Sequence, residues 1–449
     1  MTTADQPGEV SGFASNIYFP ALPTIAKDLD VSVELVNLTV TSYLIFQGIA
    51  PSLWGPISDV KGRRVACLQS AGSASTIAIG SGVIGDITPR AERGGFMGIF
   101  QAGLLMPVAV GPVIGGALAG SLGWRAIFWF LTIYSAAFLL LLLLTLPETL
   151  RSIVANGSRA PPSPIARYPL SIYQKATTIP WSPEATPPQP AARKHIDVTG
   201  PFRILVSKHA APIIVFLAIH YAVWQMSITA MSSLFASRYG LSETHIGLTF
   251  IANGVGSIVG TLVTGTLLDA DYRRVKAAHE ASRSTGPEDA PKGNDDDDGF
   301  PLEKARLRLV PLLSALQCAS VLLFGWTVQY AQRVHVAVPV VATFVTGGTA
   351  VSVQAAVLTY LVDVFAERAA AASASLNLAR CLFAAGGTSF VMPMVNAIGV
   401  GAAFTVCVGV QVGALVGVRV QWRFAGAWRR EAEGRKQQRQ ADERVGWSR

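Results

Sequence analysis

Charge is what this chain has least of. Asp, Glu, Lys and Arg make up 14% of its 449 residues, where a soluble chain carries roughly a quarter. The deficit is concentrated in apolar segments of about 20 residues, long enough to cross a hydrocarbon core of roughly 30 Å. No Asp or Glu stands at the centre of any of them. With 51% hydrophobic residues and a mean hydropathy of +0.41, an ordinary soluble domain is excluded. Cysteine is scarce as well. Cys67, Cys318, Cys381 and Cys407 show no CxxC or Cys/His spacing, which argues against a zinc site and leaves them as small apolar residues. The chain has no phosphate-binding P-loop, no metal cluster and no nucleophile constellation, so no cofactor, metal or enzymatic role is expected. Met1–Val10 lacks a cationic stretch, so no cleavable signal peptide is expected.

What is present reads as an all-α polytopic membrane protein. Spans are predicted over Leu35–Ser58, Leu68–Ile87 (the weakest, rich in Ser, Gly and Ala), Gly95–Leu122 and Trp124–Leu146. Six more follow, over Ala210–Ser237, His245–Leu268, Leu309–Ala331, Val334–Val362, Ala369–Ala397 and Val400–Val420. Ser11–Pro23 is semi-apolar but too short to span comfortably. The division expected is an N-terminal bundle over 1–146, a Pro-rich linker over 147–208, a C-terminal bundle over 209–422 and a basic tail over 423–449. An amphipathic piece is expected within the linker near Asp197–Val206. The charged loop 270–308 contains Asp295 to Asp298 and reads as a solvated segment.

Lys and Arg cluster at Lys61–Arg64, Arg90–Arg93, Arg151–Lys208, Arg273–Arg308, Arg368 and the tail. The positive-inside rule makes these faces, and the C-terminus, cytoplasmic. The net charge of +8 therefore needs no nucleic acid. The tail cations suit anionic lipid headgroups.

One motif occurs twice. Gly55-Pro-Ile-Ser-Asp59-Val-Lys61-Gly62-Arg63-Arg64 ends one apolar segment, and Gly265-Thr-Leu-Leu-Asp269-Ala-Asp-Tyr-Arg273-Arg274 ends another. Gly, Asp and the Arg pair keep their spacing, which predicts two related halves, each with a helix–turn device at one membrane face. Asp59 at a helix C-terminus opposes the local dipole and wants a cation or a facing helix N-terminus. Gly62 suits a turn residue of positive φ. Arg63 and Arg64 are expected to anchor the loop to carboxylates or lipid phosphate. A second pairing sets Asp86, Glu92 and Arg93 against Asp363, Glu367 and Arg368.

The count between these landmarks is uneven. Asp59 and Asp86 are 27 positions apart, Asp269 and Asp363 are 94 apart. The acidic loop explains about half of the difference, and the rest, roughly 30 to 35 residues, is one span with its turn. Parity agrees, because only one apolar segment separates two cationic clusters of the same side. The first half is read as lacking its third helix, leaving about 11 segments in place of twelve.

The residues then support a family. GPISDVKGRR resembles the loop signature of the major facilitator superfamily, G-x-L-a-D-r-x-G-r-k, in Gly55, Asp59, Gly62, Arg63 and Arg64. Gly103-Leu-Leu-Met-Pro107-Val-Ala-Val-Gly111-Pro112-Val-Ile-Gly115-Gly116 resembles the fifth-helix motif of its antiporter branches. Ser15–Pro23 and Gly123–Phe130 are similar to fungal 12-span drug:proton antiporters. Leu68-Gln69-Ser-Ala-Gly72 matches the start of the family's fourth helix, but Ala66 stands where relatives carry an embedded Arg associated with proton coupling.

The resemblance implies two pseudo-symmetric six-helix bundles with alternating access. It also implies that Asp59 locks the halves together in one state, and that the motif glycines with Pro112 build an occluding interface. The expected function is proton-coupled efflux of amphipathic small molecules such as drugs, toxins or secondary metabolites, by a monomer in the plasma membrane. The alternatives are a nutrient or polyamine transporter on the same fold, or a non-transporting truncated form. Polar groups inside spans are the site candidates: Asn16, Gln47, Gln101, His220, Gln225, Asn253, Gln354 and Arg380, with Tyr221 and Trp224 nearby. Arg380 reads either as a cation facing the pathway or as half of an ion pair with Asp363 or Asp86. For His220, a hydrogen-bonded core role competes with titration.

Overall fold

The computed structural model describes residues 13–69, 83, 93–154, 199–284, 302–365 and 369–446, and their regular structure is entirely helical. A short lead-in comprises a helical turn over 13–16, a 3-10 turn at Phe19–Ala21 and α1 (Leu22–Asp28). The first half continues with α2 (Val33–Lys61), α3 (Arg63–Gln69), α4 (Arg93–Leu122), α5 (Arg125–Thr145) and the single turn α6 (Arg151–Val154). The second half holds α7 (Gly200–Val206), α8 (Ala211–Tyr239), α9 (Glu243–Ser284), α10 (Leu302–Leu307), α11 (Val310–Gln329), α12 (Ala337–Val364), α13 (Ala369–Ile398) and α14 (Val400–Gly446).

Among the described residues nine helices are long and apolar enough to cross a membrane: α2, α4, α5, α8, α9, α11, α12, α13 and α14. The span predicted over Leu68–Ile87 falls almost wholly outside the described residues. Two boundaries differ from expectation. α9 runs unbroken through Asp269 to Ser284, because Tyr272 stands where the first copy of the motif has Gly62 and nothing from Leu268 to Ser284 is Gly or Pro. The second copy is therefore a helix without a turn. α14 carries the basic tail onward as helix to Gly446.

Close packing between helices comes from small residues, which allow backbones to touch. A Cβ on Gly347 would stand 2.5 Å from the Asn253 carbonyl, and one on Gly256 or Gly260 would collide with the backbone of Phe344 or Gly348, so α9 and α12 meet along a glycine seam. Across the halves, α2 packs on α13 and α4 on α9. The lead-in is wedged between these pairs, with Ile17, Phe19 and Leu22 fully buried and Phe19 stacked on Phe250.

Candidate transport site and its gates

Two faces can be followed. The first carries the start of α2, the end of α4 and the end of α13, and here the halves are tied. Thr24 of α1 donates to the Glu243 carboxylate at the start of α9. Asn396 Nδ2 donates to Glu34 Oε1 at 2.8 Å. Thr41 and Ser389 share a hydrogen bond of 2.7 Å. Within the first half, Asp28 Oδ2 accepts from Trp124 Nε1 at 2.9 Å and Arg125 Nη1 at 3.0 Å, with the guanidinium 4.2 Å above the indole. The Trp124 bond first, then Arg125, hold the Asp28 carboxyl below its ordinary pKa.

The antiporter-like motif sits at this face. A Cβ on Gly116 would stand 2.5 Å from the Glu243 carbonyl, one on Gly247 would stand 2.5 Å from the Pro112 carbonyl, and Thr244 Oγ1 donates to the Gly116 carbonyl at 3.3 Å. Gly115 and Gly111 turn instead to the lead-in: a Cβ on Gly115 would collide with the Ile17 carbonyl, while one on Gly111 would lie 3.5 Å from Phe13. Pro112 is buried and Gly103 half-buried. The α4–α9 seam thus brings the two halves into backbone contact at this end.

At the opposite face the loop signature is tied within its own half. Gly62 adopts φ +107°, and a Cβ there would stand 2.5 Å from Glu148 Oε2. Glu148, which follows the apolar run of α5, is buried. It accepts from the backbone N–H of Arg63 at 2.8 Å and of Arg64 at 3.2 Å, capping α3, and from Thr149 and Leu150 at 3.1 Å each. In return Arg64 donates to the terminal carbonyls of α5, Leu143 at 2.7 Å and Leu146. A carboxylate on a helix N-terminus and a guanidinium on a helix C-terminus both match the local dipole. Arg63 Nη1 donates to Ser58 Oγ at 2.7 Å. Both arginines are buried, and of the two anchors expected for them, carboxylates or lipid phosphate, a carboxylate, Glu148, is the one in contact, through their backbone amides. Glu148 is hard to single out from sequence because it stands at the head of the Pro-rich stretch 147–208. The signal available was a lone carboxylate at the end of an apolar run.

The second half pairs differently. Asp269, Arg273 and Arg274 are exposed on the surface of α9, and Arg273 Nε reaches only the Asp269 carbonyl at 3.2 Å among the bonds described. Asp271 is the buried carboxylate, 3.8 Å from Arg308. Arg306 binds Asp363 at 2.8 Å and lies 4.3 Å over Tyr272. The continuous helix turns Asp269 to the surface and brings Asp271 inward. Gly55 and Asp59 lie in α2 and Arg93 and Gln101 in α4, but their side chains are outside the described set. Asp86, Glu92, Glu367 and Arg368 are outside it altogether.

Between the faces the polar candidates separate. His220 is a core residue: Nδ1 donates to the Phe216 carbonyl at 3.1 Å, which leaves Nε2 to accept from Ser314 Oγ at 2.6 Å. Both nitrogens of the neutral ring are satisfied. Asn253 joins α9 to α12 through the Thr343 carbonyl at 3.1 Å. Asn16 Nδ2 bonds Ser15 Oγ at 2.6 Å in the lead-in. Gln354 is half-buried on α12. Arg380 stands at the junction of α2, α8 and α13. Its Nε and Nη2 donate to Asn377 Oδ1 at 3.0 and 2.7 Å, and Cζ lies 4.7 Å over Tyr221. Asn377 Nδ2 in turn donates to the Gln47 carbonyl of α2 at 3.0 Å. The ion pair expected with Asp363 is not formed, since Asp363 belongs to Arg306. Gln225 is buried one turn beyond Tyr221, and the buried Trp224 Nε1 has no hydrogen-bond partner.

Two helical halves that touch along paired seams around a polar junction define a membrane transporter of the secondary active class. The residues 65–388 match the family model described as Major Facilitator Superfamily, and the chain belongs to that family. It is 34% identical to Citrate exporter 1 of Aspergillus niger over 459 residues, covering 95% of this chain and 85% of the relative. Identity to MFS antiporter QDR2 of Candida albicans is 33%, covering 89% and 83%, and to Multidrug transporter QDR2 of Candida glabrata 32%, covering 89% and 75%. The fold is shared with a D-xylose–proton symporter, at TM-score 0.60 and 14% identity over 94% of this chain and 96% of that one. The first of these alignments runs over 459 residues yet contains 95% of 449, about 427, so about 30 positions in total stand opposite gaps in this chain. That is the length of one span with its turn.

Proposed function

We propose that the chain exports amphipathic small molecules across the plasma membrane in exchange for protons, alternating between two orientations of its halves. The observation that carries this reading is the asymmetry of the ties. Thr41–Ser389, Asn396–Glu34 and the α4–α9 glycine seam bind the halves at the Asp28 face, whereas the described Arg64–Glu148 and Asp271–Arg308 networks each stay within one half. The positive-inside rule makes the sealed face external and places the tail, with its cations, on the cytoplasmic side. In this reading the accessible side of the pathway is the cytoplasmic one, as an exporter's loading state requires. The names of the Candida relatives support exchange and a broad drug-like range. The working unit is a monomer in the bilayer, and no enzymatic activity is proposed.

Proton exchange needs a titrating group. Arg380 keeps its proton at all working pH values, and His220 is consumed by packing, so neither is the carrier. The test is transport into inside-out vesicles with an imposed pH gradient, using rhodamine 6G and fluconazole. Accumulation that collapses with the gradient supports exchange, and a rate equal to vesicles from an empty vector refutes export by this chain. The specific observation favouring a non-transporting form is the total of about 30 alignment positions without a counterpart in this chain, and that second outcome is what it predicts.

A further inference from the structure

We propose that the Arg380 junction is a carboxylate-binding site, so that the favoured substrates are amphipathic organic anions. This rests on the transport reading above and narrows its substrate class. Arg380 lies nine residues inside the span Ala371–Ile398, about 14 Å along the axis and therefore near the midplane. A fixed cation at that depth needs a counter-charge, and no Asp or Glu among the described residues supplies one. Its described polar contacts are the neutral Asn377 amide and Tyr221, which it meets through the ring face and a side-chain hydrogen bond.

The guanidinium is held but not used up. Asn377 Oδ1 takes one N–H from Nε and one from Nη2, and Tyr221 shares a further side-chain hydrogen bond with the guanidinium, so the five-donor fork is not exhausted. Asn377 is itself pinned by the Gln47 carbonyl, so the fork is fixed from two helices before any ligand arrives. A planar fork of this kind matches a carboxylate. Beside it, Trp224 packs edge-on to Tyr221 at 5.3 Å and keeps an unpartnered Nε1–H although only 5% exposed. One half-buried cation with spare donors, one orphaned indole N–H and two aromatic neighbours together suit a ligand with an anionic head and an apolar body. A cationic drug would face the reverse.

The test is direct binding of radiolabelled benzoate, with citrate as a second arm, to the purified full chain in nanodiscs. Saturable benzoate binding is expected. Arg380→Gln should weaken it by about tenfold or more, the worth of a charge-assisted bidentate contact. Arg380→Lys keeps the charge but not the fork and should lose several-fold. Binding of rhodamine 6G, a cation, should not weaken in either variant. If Arg380→Gln does not fold, the folded Arg380→Lys decides, and unchanged affinity there overturns the proposal. So does an absence of saturable binding of both anions to the native chain, or folded Arg380→Gln binding like the native chain. Binding does not require turnover. Arg380-dependent binding without transport therefore defeats the export reading alone, and dye export without anion binding defeats the carboxylate site alone.

Discussion

At Gly62 a methyl group is opposed twice, by the backbone angle of +107° and by the Glu148 carboxylate in the space it would fill. Gly62→Ala is expected to cost about 1–3 kcal/mol and to lower the thermal midpoint of the detergent-solubilised protein. Glu148 is the matching case. Glu148→Ala leaves the buried amides of Arg63 and Arg64 without their acceptor, a loss of about 3 kcal/mol. Glu148→Gln keeps one oxygen and should lose clearly less. Equal midpoints for the two variants would show that the cap is not what holds α3. Asp28 gives a pH test. Its folded pKa is depressed, so its contribution is present above the unfolded value of about 3.9 and disappears as pH falls through the lower folded value. The midpoint difference between Asp28→Asn and the native chain should hold steady from about pH 5 to 8 and vanish only below about pH 4. A difference that fades near pH 6 would assign it to another group. Of these residues Gly62 was legible, because a glycine between Lys61 and Arg63 at a helix end reads as a turn. Glu148 was not, because its role depends on α3 arriving from 85 positions away.

Helix by helix, apolar length announces a span wherever it exceeds about 20 residues, since only a helix satisfies its own backbone in lipid. That made the spans readable. It could not say which polar groups within them face a neighbour and which face the pathway, because a side chain's direction is set by its partner helix. His220 and Asn253 thus turn out to be packing contacts, and Arg380 a junction residue. It also could not separate Asp269 from Asp271, two residues apart on a helix that the motif implied would turn. The α4–α9 seam carries the prediction at this scale. Gly247→Val places two methyl groups against the Pro112 carbonyl, 2.5 Å from the Cβ position, and should force α9 away from α4. Transport is expected to fall about tenfold or more, in line with 1–3 kcal/mol of overpacking, while expression and helical content hold. Native transport rates in Gly247→Val would mean that the seam does not seal the pathway.

Across the whole molecule the two halves are unequal. The best apolar window of α8 is 89% buried inside the chain, that of α5 only 11%, and the positions left unmatched in the Citrate exporter 1 alignment add up to about one span. Both fit a first half in which α5 lacks a neighbour. Inserting an apolar helix of about 30 residues between Val65 and Cys67 should raise the thermal midpoint and the transport rate. Unchanged values would show that the chain functions as a shortened bundle. The central claim is that the halves rock about the Arg380 junction, with the Asp28 face sealed in the state described. The most direct measurement replaces the four native cysteines by alanine, introduces Thr41→Cys with Ser389→Cys, whose hydroxyls lie 2.7 Å apart across the halves, and follows rhodamine 6G or benzoate transport before and after oxidation. The account predicts rapid cross-linking, loss of transport when cross-linked and recovery on reduction. Undiminished transport by the fully cross-linked chain would contradict it.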